Sequence, residues 1–185
     1  MRPILFYTIG LPGAGKTTLA RQLAFLLGCE HLRGDVIGLE LFGIPTYSAE
    51  ERRIVYAEMS HRATESLRRG QHVLYDASVN THVQRQALVA LAEGQGSRAI
   101  GLWLETPVAL AKQRAGSARD AGVIGRVVRV IPPHIFDHYA AVFETPSAHE
   151  TVITLSGDAG FYLQYRRLRR ELRRLGEHLP PLVQD

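Results

Sequence analysis

Near the amino terminus, Gly10-Leu11-Pro12-Gly13-Ala14-Gly15-Lys16-Thr17 matches the pattern G-x-x-x-x-G-K-[ST] at every fixed position. The chemistry of that pattern is anion binding. Its glycines let the backbone wrap closely around phosphate oxygens, so that successive amide N–H groups converge on them. The first turn of a following helix adds unpaired donors and partial positive charge. Lys16 is placed to reach the β- and γ-phosphates of a nucleotide, and the Thr17 hydroxyl to sit on Mg²⁺. The expected cradle therefore comprises Gly10, Pro12, Gly13, Ala14, Gly15, Lys16, Thr17 and Thr18.

A metal site needs a carboxylate as well. His72-Val73-Leu74-Tyr75-Asp76 is a mostly apolar run that ends in one, and in open α/β sheets ligands collect at the carboxyl ends of strands. Asp76 can hold Mg²⁺ there, through water, or it can cap the turn Ala77-Ser78-Val79-Asn80. Guanidinium groups suit a bound phosphate by their bidentate geometry. Arg114, Arg119, Arg126 and Arg129 surround the glycine-containing stretch Asp120 to Gly125, which reads as a hinged lid over about residues 114–131. The bland alternative for each of them is a solvated surface arginine. His134 and His138 stand four apart, but no third ligand lies at a spacing that makes a zinc site.

Such residues need elements to hold them. Ile4 to Ile9 reads as a strand buried on both faces, and Lys16 to Leu27 as an amphipathic helix. Cys29 to Leu32, His72 to Asp76, Arg98 to Leu104 and Thr151 to Leu155 are the remaining strand candidates. The capping boxes Ser48-Ala49-Glu50-Glu51 and Thr81-His82-Val83-Gln84 open helices running to about Arg69 and Glu93. Thr106-Pro107 puts proline at a first helical position, and Pro132-Pro133 opens a helix ending near Phe143. Strands alternating with helices imply parallel pairing with right-handed crossovers. The expected fold is a three-layer α/β/α sandwich around a five-stranded, mostly parallel sheet, with residues 1–185 as one domain.

Composition agrees with that class. The 185 residues are 45% hydrophobic and 22% charged, with a formal net charge of +4, as in ordinary globular chains. No run approaches the roughly 20 apolar residues that a bilayer crossing needs, so no membrane association is expected. The single cysteine, Cys29, has no partner for an internal disulfide, and a reducing cytoplasm is the expected setting. Cys29 and Trp103 both read as packing residues.

Taken together, these residues resemble the small P-loop kinases related to polynucleotide 5′-hydroxyl kinases, the AAA-33 type. The resemblance rests on the loop from Gly10 to Thr18, on Arg33-Gly34-Asp35, and on Leu74-Tyr75-Asp76-Ala77-Ser78. It continues through Asn80 to Arg85, Arg114 and Arg119, Arg129-Val130-Ile131-Pro132, and Phe143-Glu144-Thr145-Pro146 with Glu150. It implies that Asp35 acts as general base toward an acceptor hydroxyl and that lid arginines, Arg114, Arg119 and Arg126 among them, clamp the donor phosphates. Asp35 has a rival reading as the cap of a helix starting near Val36. The sequence departs from the nucleic-acid members at one point. They carry Asp-x-x-Arg, whereas this chain has Asp35-Val36-Ile37-Gly38, with Arg33 or Arg52 as substitutes.

The expected activity is transfer of the γ-phosphate of ATP, with Mg²⁺, to a hydroxyl. A nucleic-acid 5′-hydroxyl is the first acceptor considered and a sugar, metabolite or antibiotic alcohol the second. A nucleotide-binding switch or regulatory ATPase with a partner protein is the competing class. The tail bears on that choice. Phe161, Tyr165, Leu168, Leu172, Leu175 and Leu179 form a helical apolar stripe over about 161–175, with Arg166, Arg167, Arg169, Arg170, Arg173 and Arg174 mostly off it. Those arginines can face nucleic acid, a partner, or water.

Overall fold

The computed structural model describes residues 2–43, 46, 48–117 and 130–178. Strand β1 (Ile4–Ile9) is buried along its whole length. Because side chains alternate across a strand, it feeds two cores at once. Ile4 and Phe6 join one, and Leu5, Tyr7 and Ile9 the other. A strand covered on both faces belongs in the middle of a sheet with helices on each side. That is where it lies.

Strand β1 pairs in parallel with β3 (Val73–Asp76) and β4 (Arg98–Glu105). Strands β2 (Glu30–Arg33) and β5 (Val152–Ser156) add on outside them, also in parallel. The order is β2-β3-β1-β4-β5. Helices α1 (Lys16–Leu27) and α7 (Phe161–Arg174) cover one face, through Leu19, Ala20 and Leu23 and through Tyr165, Leu168 and Leu172. Helices α2 (Gly34–Phe42), α3 (Ala49–Arg68) and α4 (His82–Gly94) cover the other, with Ile37, Met59, Ala63, Leu67, Leu88 and Ala92 inward. Helices α5 (Val108–Ala115) and α6 (Pro133–Ala141) build a third, smaller cluster around Ala111, Ala115 and Phe136, against Leu11 and Ile131. The three layers and five strands are as expected, and every pairing is parallel.

Local signals behave as their chemistry requires. Ser48 Oγ accepts from Glu51 N at 3.1 Å, and Thr81 and Gln84 form the reciprocal capping box. Several boundaries shift by one or two residues, β3 beginning at Val73, β4 ending at Glu105, β5 running Val152–Ser156 and α6 ending at Ala141. Strand β2 starts at Glu30, and Pro107 precedes α5 as its cap instead of opening it. The tail stripe docks on the sheet, burying Tyr165, Leu168 and Leu172, while Arg166, Arg167, Arg170, Arg173 and Arg174 stay exposed. Leu179 lies outside the described residues. Cys29 and Trp103 pack against the two main cores, and burial pushes the Cys29 thiol up to about 12. No described helix is long and apolar enough to cross a membrane.

Candidate active site

In the order β2-β3-β1-β4-β5, the connection after β1 runs to β2 on one side and the connection after β3 runs to β4 on the other, and the crevice at the carboxyl ends of these strands is where open parallel sheets bind ligands. The glycine-rich loop occupies that point, between β1 and α1. Gly13 adopts φ +78°, and a Cβ there would collide with the backbone of α5 at Ala111 and Ala115. Glycine is thus required twice over, by conformation and by space. The same close approach sets Arg114 of α5 beside the loop, where its Nη1 donates to Gly157 O at 2.8 Å. Ala14 N closes the turn onto Leu11 O at 3.1 Å, and Thr106 Oγ1 donates to Ala14 O at 3.1 Å.

The ammonium of Lys16 is folded back on its own loop, donating to Gly10 O at 2.8 Å and Leu11 O at 2.9 Å. Burial brings its pKa down to about 8, opposed by the nearby Asp76 carboxylate. Asp76 ends β3 with its side chain 4% exposed. Its Oδ1 accepts from Thr17 Oγ1 at 3.3 Å, so Thr17 and Asp76 are brought together as the sequence implies. Oxygen donors of this kind suit Mg²⁺, which binds through one or two carboxylates plus phosphate oxygens and water. No cluster of three or more His, Cys, Asp or Glu that could cage a metal occurs among the described residues. A cation here would take most of its ligands from nucleotide and solvent.

Asp35 sits two residues past the β2 position that pairs with Asp76. It is not a helix cap. The helix begins at Gly34, Arg33 is the residue before it, and no side-chain cap bond forms. Asp35 lies inside the first turn, held by Arg33 through Nε–Oδ1 at 3.1 Å and Nη2–Oδ2 at 2.6 Å, with Val36 N also donating to Oδ1. Arg33 is thereby committed to Asp35. Arg119, Arg126 and Arg129, with most of the expected lid, lie outside the described residues.

Two cavities flank the loop. One of about 510 Å³ is lined by Gly15, Thr18, Gln22, Arg114, Gly157 and Gln164. Another of about 350 Å³ is lined by Gly34, Asp35, Gly38, Arg52, Tyr56 and Asp76. Gly13, Lys16 and Thr17 belong to both. The loop is a partition with a chamber on each side.

The AAA_33 family, described as an AAA domain, matches over residues 5–146 of this sequence. The chain belongs to that family. Solved structures similar to this AAA_33 chain include a sugar kinase from Janibacter sp. HTCC2649, at 22% identity and TM-score 0.64, covering 94% of this chain and 95% of that one. A gluconokinase from Sinorhizobium meliloti 1021 is 17% identical at TM-score 0.66, covering 94% of each chain. The APS kinase of Mycobacterium tuberculosis, solved with AMPPNP and APS, is 19% identical at TM-score 0.66, covering 93% of this chain and 98% of that one. At these identities the likeness shows the fold. No curated protein matches the sequence.

The AAA_33 site also contains residues the motifs do not reveal. His31 of β2 reaches Asp76 Oδ2 with its Nε2 at 3.2 Å. Asp76 therefore has one oxygen facing Thr17 and the other held by an imidazole. Only strand pairing brings His31 there, since 45 residues separate the two. Partners of this kind fix a carboxylate's orientation toward a metal, and losing one costs about 10- to 100-fold in metal affinity. His31→Phe is expected to raise the Mg²⁺ concentration needed for half-maximal turnover by that factor, with His31→Gln recovering part of it. An unchanged Mg²⁺ titration in His31→Phe would remove His31 from the site.

The other unannounced feature is behind the loop. Asn80 Oδ1 accepts from Gly10 N at 3.1 Å. Asn80 O in turn accepts from Arg85, whose guanidinium is 1% exposed and grips Glu150 through Nε–Oε2 at 2.5 Å and Nη2–Oε1 at 3.1 Å. Arg85 Nη1 also donates to Glu144 O at 3.0 Å. The resemblance covers these residues and implies no role for them. Their placement makes them a buried brace for the start of the loop.

Proposed function

We propose that this chain is an ATP-dependent kinase that moves the γ-phosphate of ATP onto a hydroxyl of a small molecule. The observation that carries the reading is the pair of cavities meeting at Gly13, Lys16 and Thr17. Phosphoryl transfer needs a donor and an acceptor held in line across the transferring group, with positive charge at the junction. The 510 Å³ chamber, with the loop amides, Thr18 and Arg114, takes the nucleotide. The 350 Å³ chamber, with Asp35, takes the acceptor.

In this reading Lys16 leaves its two loop carbonyls and turns to the β- and γ-phosphate oxygens. Asp35, oriented by Arg33, accepts the proton of the acceptor hydroxyl. The new O–P bond forms as the β–γ bridging bond breaks, and ADP leaves. Thr17 and Asp76 would hold Mg²⁺, which supplies charge neutralisation on the phosphates when bound. Arg114 meets the donor phosphates from α5, and Arg119 and Arg126 from the lid.

A small acceptor is favoured over the nucleic-acid 5′-hydroxyl. Structural neighbours include a sugar kinase, a gluconokinase and an APS kinase, and pockets of a few hundred Å³ suit small ligands. The arginine that nucleic-acid members place three residues after the aspartate is here Gly38. A nucleotide switch has no use for a second chamber containing a carboxylate.

Incubation with γ-labelled ATP and parallel panels of small alcohols and oligonucleotides tests this directly. Label is expected in a small alcohol. Label confined to oligonucleotides, or phosphate release that no added alcohol alters, would reject the reading. Asp35→Asn is expected to lower transfer by about 100- to 10,000-fold, the usual contribution of a positioned base, while ATP affinity measured by calorimetry changes little. Equal loss of both would return Asp35 to a structural role.

A further inference from the structure

The acceptor chamber has walls of unequal chemistry. Helix α2 presents Gly34, Gly38 and Phe42 to it, at successive helical spacings of four. Helix α3 presents Glu51, Arg52, Val55 and Tyr56, and Ile131 closes another side. Gly38 is buried in the middle of α2, where glycine costs about 0.5–1 kcal/mol relative to alanine. Away from the reacting end, the walls are mainly carbon: Gly38, Phe42, Val55 and Ile131.

Against this background one cation stands apart. Along α3, Arg53 pairs with Glu50, Arg62 with Glu58 and Glu40, and Arg68 with Glu65. Arg52 makes no side-chain ion pair or hydrogen bond among the described residues, and it is the α3 arginine that lines the chamber. Glu51, the other charged group of this wall, has a partner within the fold. Arg33 is paired with Asp35. A free guanidinium at the rim of a mainly apolar chamber is suited to a carboxylate or phosphate, which it can bind bidentately.

We infer that the acceptor is an alcohol carrying an anionic group, held by Arg52 at one end while its hydroxyl meets Asp35 and Lys16 at the other, with a carbon body lying on Gly38, Phe42 and Val55. This rests on the kinase reading above and narrows it. The shared chemistry is a carboxylate or a phosphate ester on the same molecule as the hydroxyl. An uncharged polyol lacks the group that Arg52 would bind, and it would leave most of its hydroxyls facing carbon.

The test is a matched panel with γ-labelled ATP: hydroxycarboxylates and phosphate monoesters bearing a free hydroxyl, each beside its neutral amide or unphosphorylated counterpart. Label is expected in the anionic member of a pair, and the carboxylate and phosphate arms identify which anion is used. Arg52→Gln is expected to raise the KM for that acceptor by about 10- to 100-fold, the usual worth of a charge-assisted hydrogen bond, with the KM for ATP moving less than about twofold. Arg52→Lys should recover part of the loss. Label in neutral alcohols alone, or an acceptor KM unmoved in Arg52→Gln, overturns this inference and leaves the kinase reading standing. Label in no alcohol of either kind overturns both.

Discussion

Lys16→Ala is expected to lower phosphotransfer by about 100- to 1,000-fold, the usual cost of deleting one preorganised charge that meets a transition state. The structure places the ammonium where the two cavities join, and Lys16 is one of three residues they share. That ammonium donates to the carbonyls of Gly10 and Leu11. Those bonds keep the cation satisfied at the junction of the two cavities. Removing it takes away charge without removing the loop, since the turn is closed by backbone bonds such as Ala14 N to Leu11 O and Leu19 N to Gly15 O. Circular dichroism and thermal unfolding should therefore match the parent chain while steady-state transfer collapses. Transfer within a few-fold of the parent would mean that the loop does not hold the reacting nucleotide.

The second large effect is on stability. Arg85 is the largest fully buried side chain among the described residues, and it is a charge. Its partner Glu150 is held well below the usual carboxylate range, at about 2, chiefly by hydrogen bonds from Arg85 and also by Ser147 N. Breaking a buried pair by removing one member strands the other. Arg85→Met is therefore expected to cost about 3–5 kcal/mol of folding stability, measured by denaturant unfolding at pH 7. The double variant Arg85→Met/Glu150→Met should recover most of it, because two apolar residues leave no stranded charge.

The same pair sets an acid limit. A folded pKa depressed to about 2 from 4.5 means that the stabilisation is complete above about pH 4.5 and is lost as the pH falls toward 2. The full shift corresponds to about 3 kcal/mol. Glu150→Gln should flatten the stability profile between pH 5 and 2 relative to the parent. A parent profile with no steeper acid fall than Glu150→Gln would show that the pair is already open in solution. Because Arg85 also donates to Asn80 O, and Asn80 holds Gly10 N, these variants should weaken nucleotide binding even at temperatures where they remain folded.

Where sequence reading succeeded, the information was local. The loop from Gly10 to Thr17 is a contiguous backbone device, and its strand and helix follow from period-two and period-3.6 patterns over a dozen residues. Thr81 with Gln84, and Ser48 with Glu51, announce their helices because a cap bonds within three residues. Where it was ambiguous, the competing bonds lay within a few residues of each other. On sequence grounds Asp35 could cap a helix or catalyse; in the structure the helix begins at Gly34, one residue before Asp35, and Arg33 draws the carboxylate to itself, so the cap does not form. Pro107 was displaced by one position for a comparable reason: it serves as the cap of α5, with Ala111 N donating to its carbonyl.

Sequence alone determined that this chain carries a phosphate-loop motif, with Lys16 and Thr17, on a parallel α/β sheet and Asp76 at the end of a neighbouring strand. Tertiary structure alone decided that His31 holds Asp76, that Arg85 and Glu150 brace Gly10 through Asn80, and that Arg52 faces a chamber walled by α2 and α3. The reason is separation along the chain. His31 and Asp76 are 45 residues apart and Arg85 and Glu150 are 65 apart. No short-range periodicity encodes such encounters; they exist only once strand order and helix packing bring the partners together.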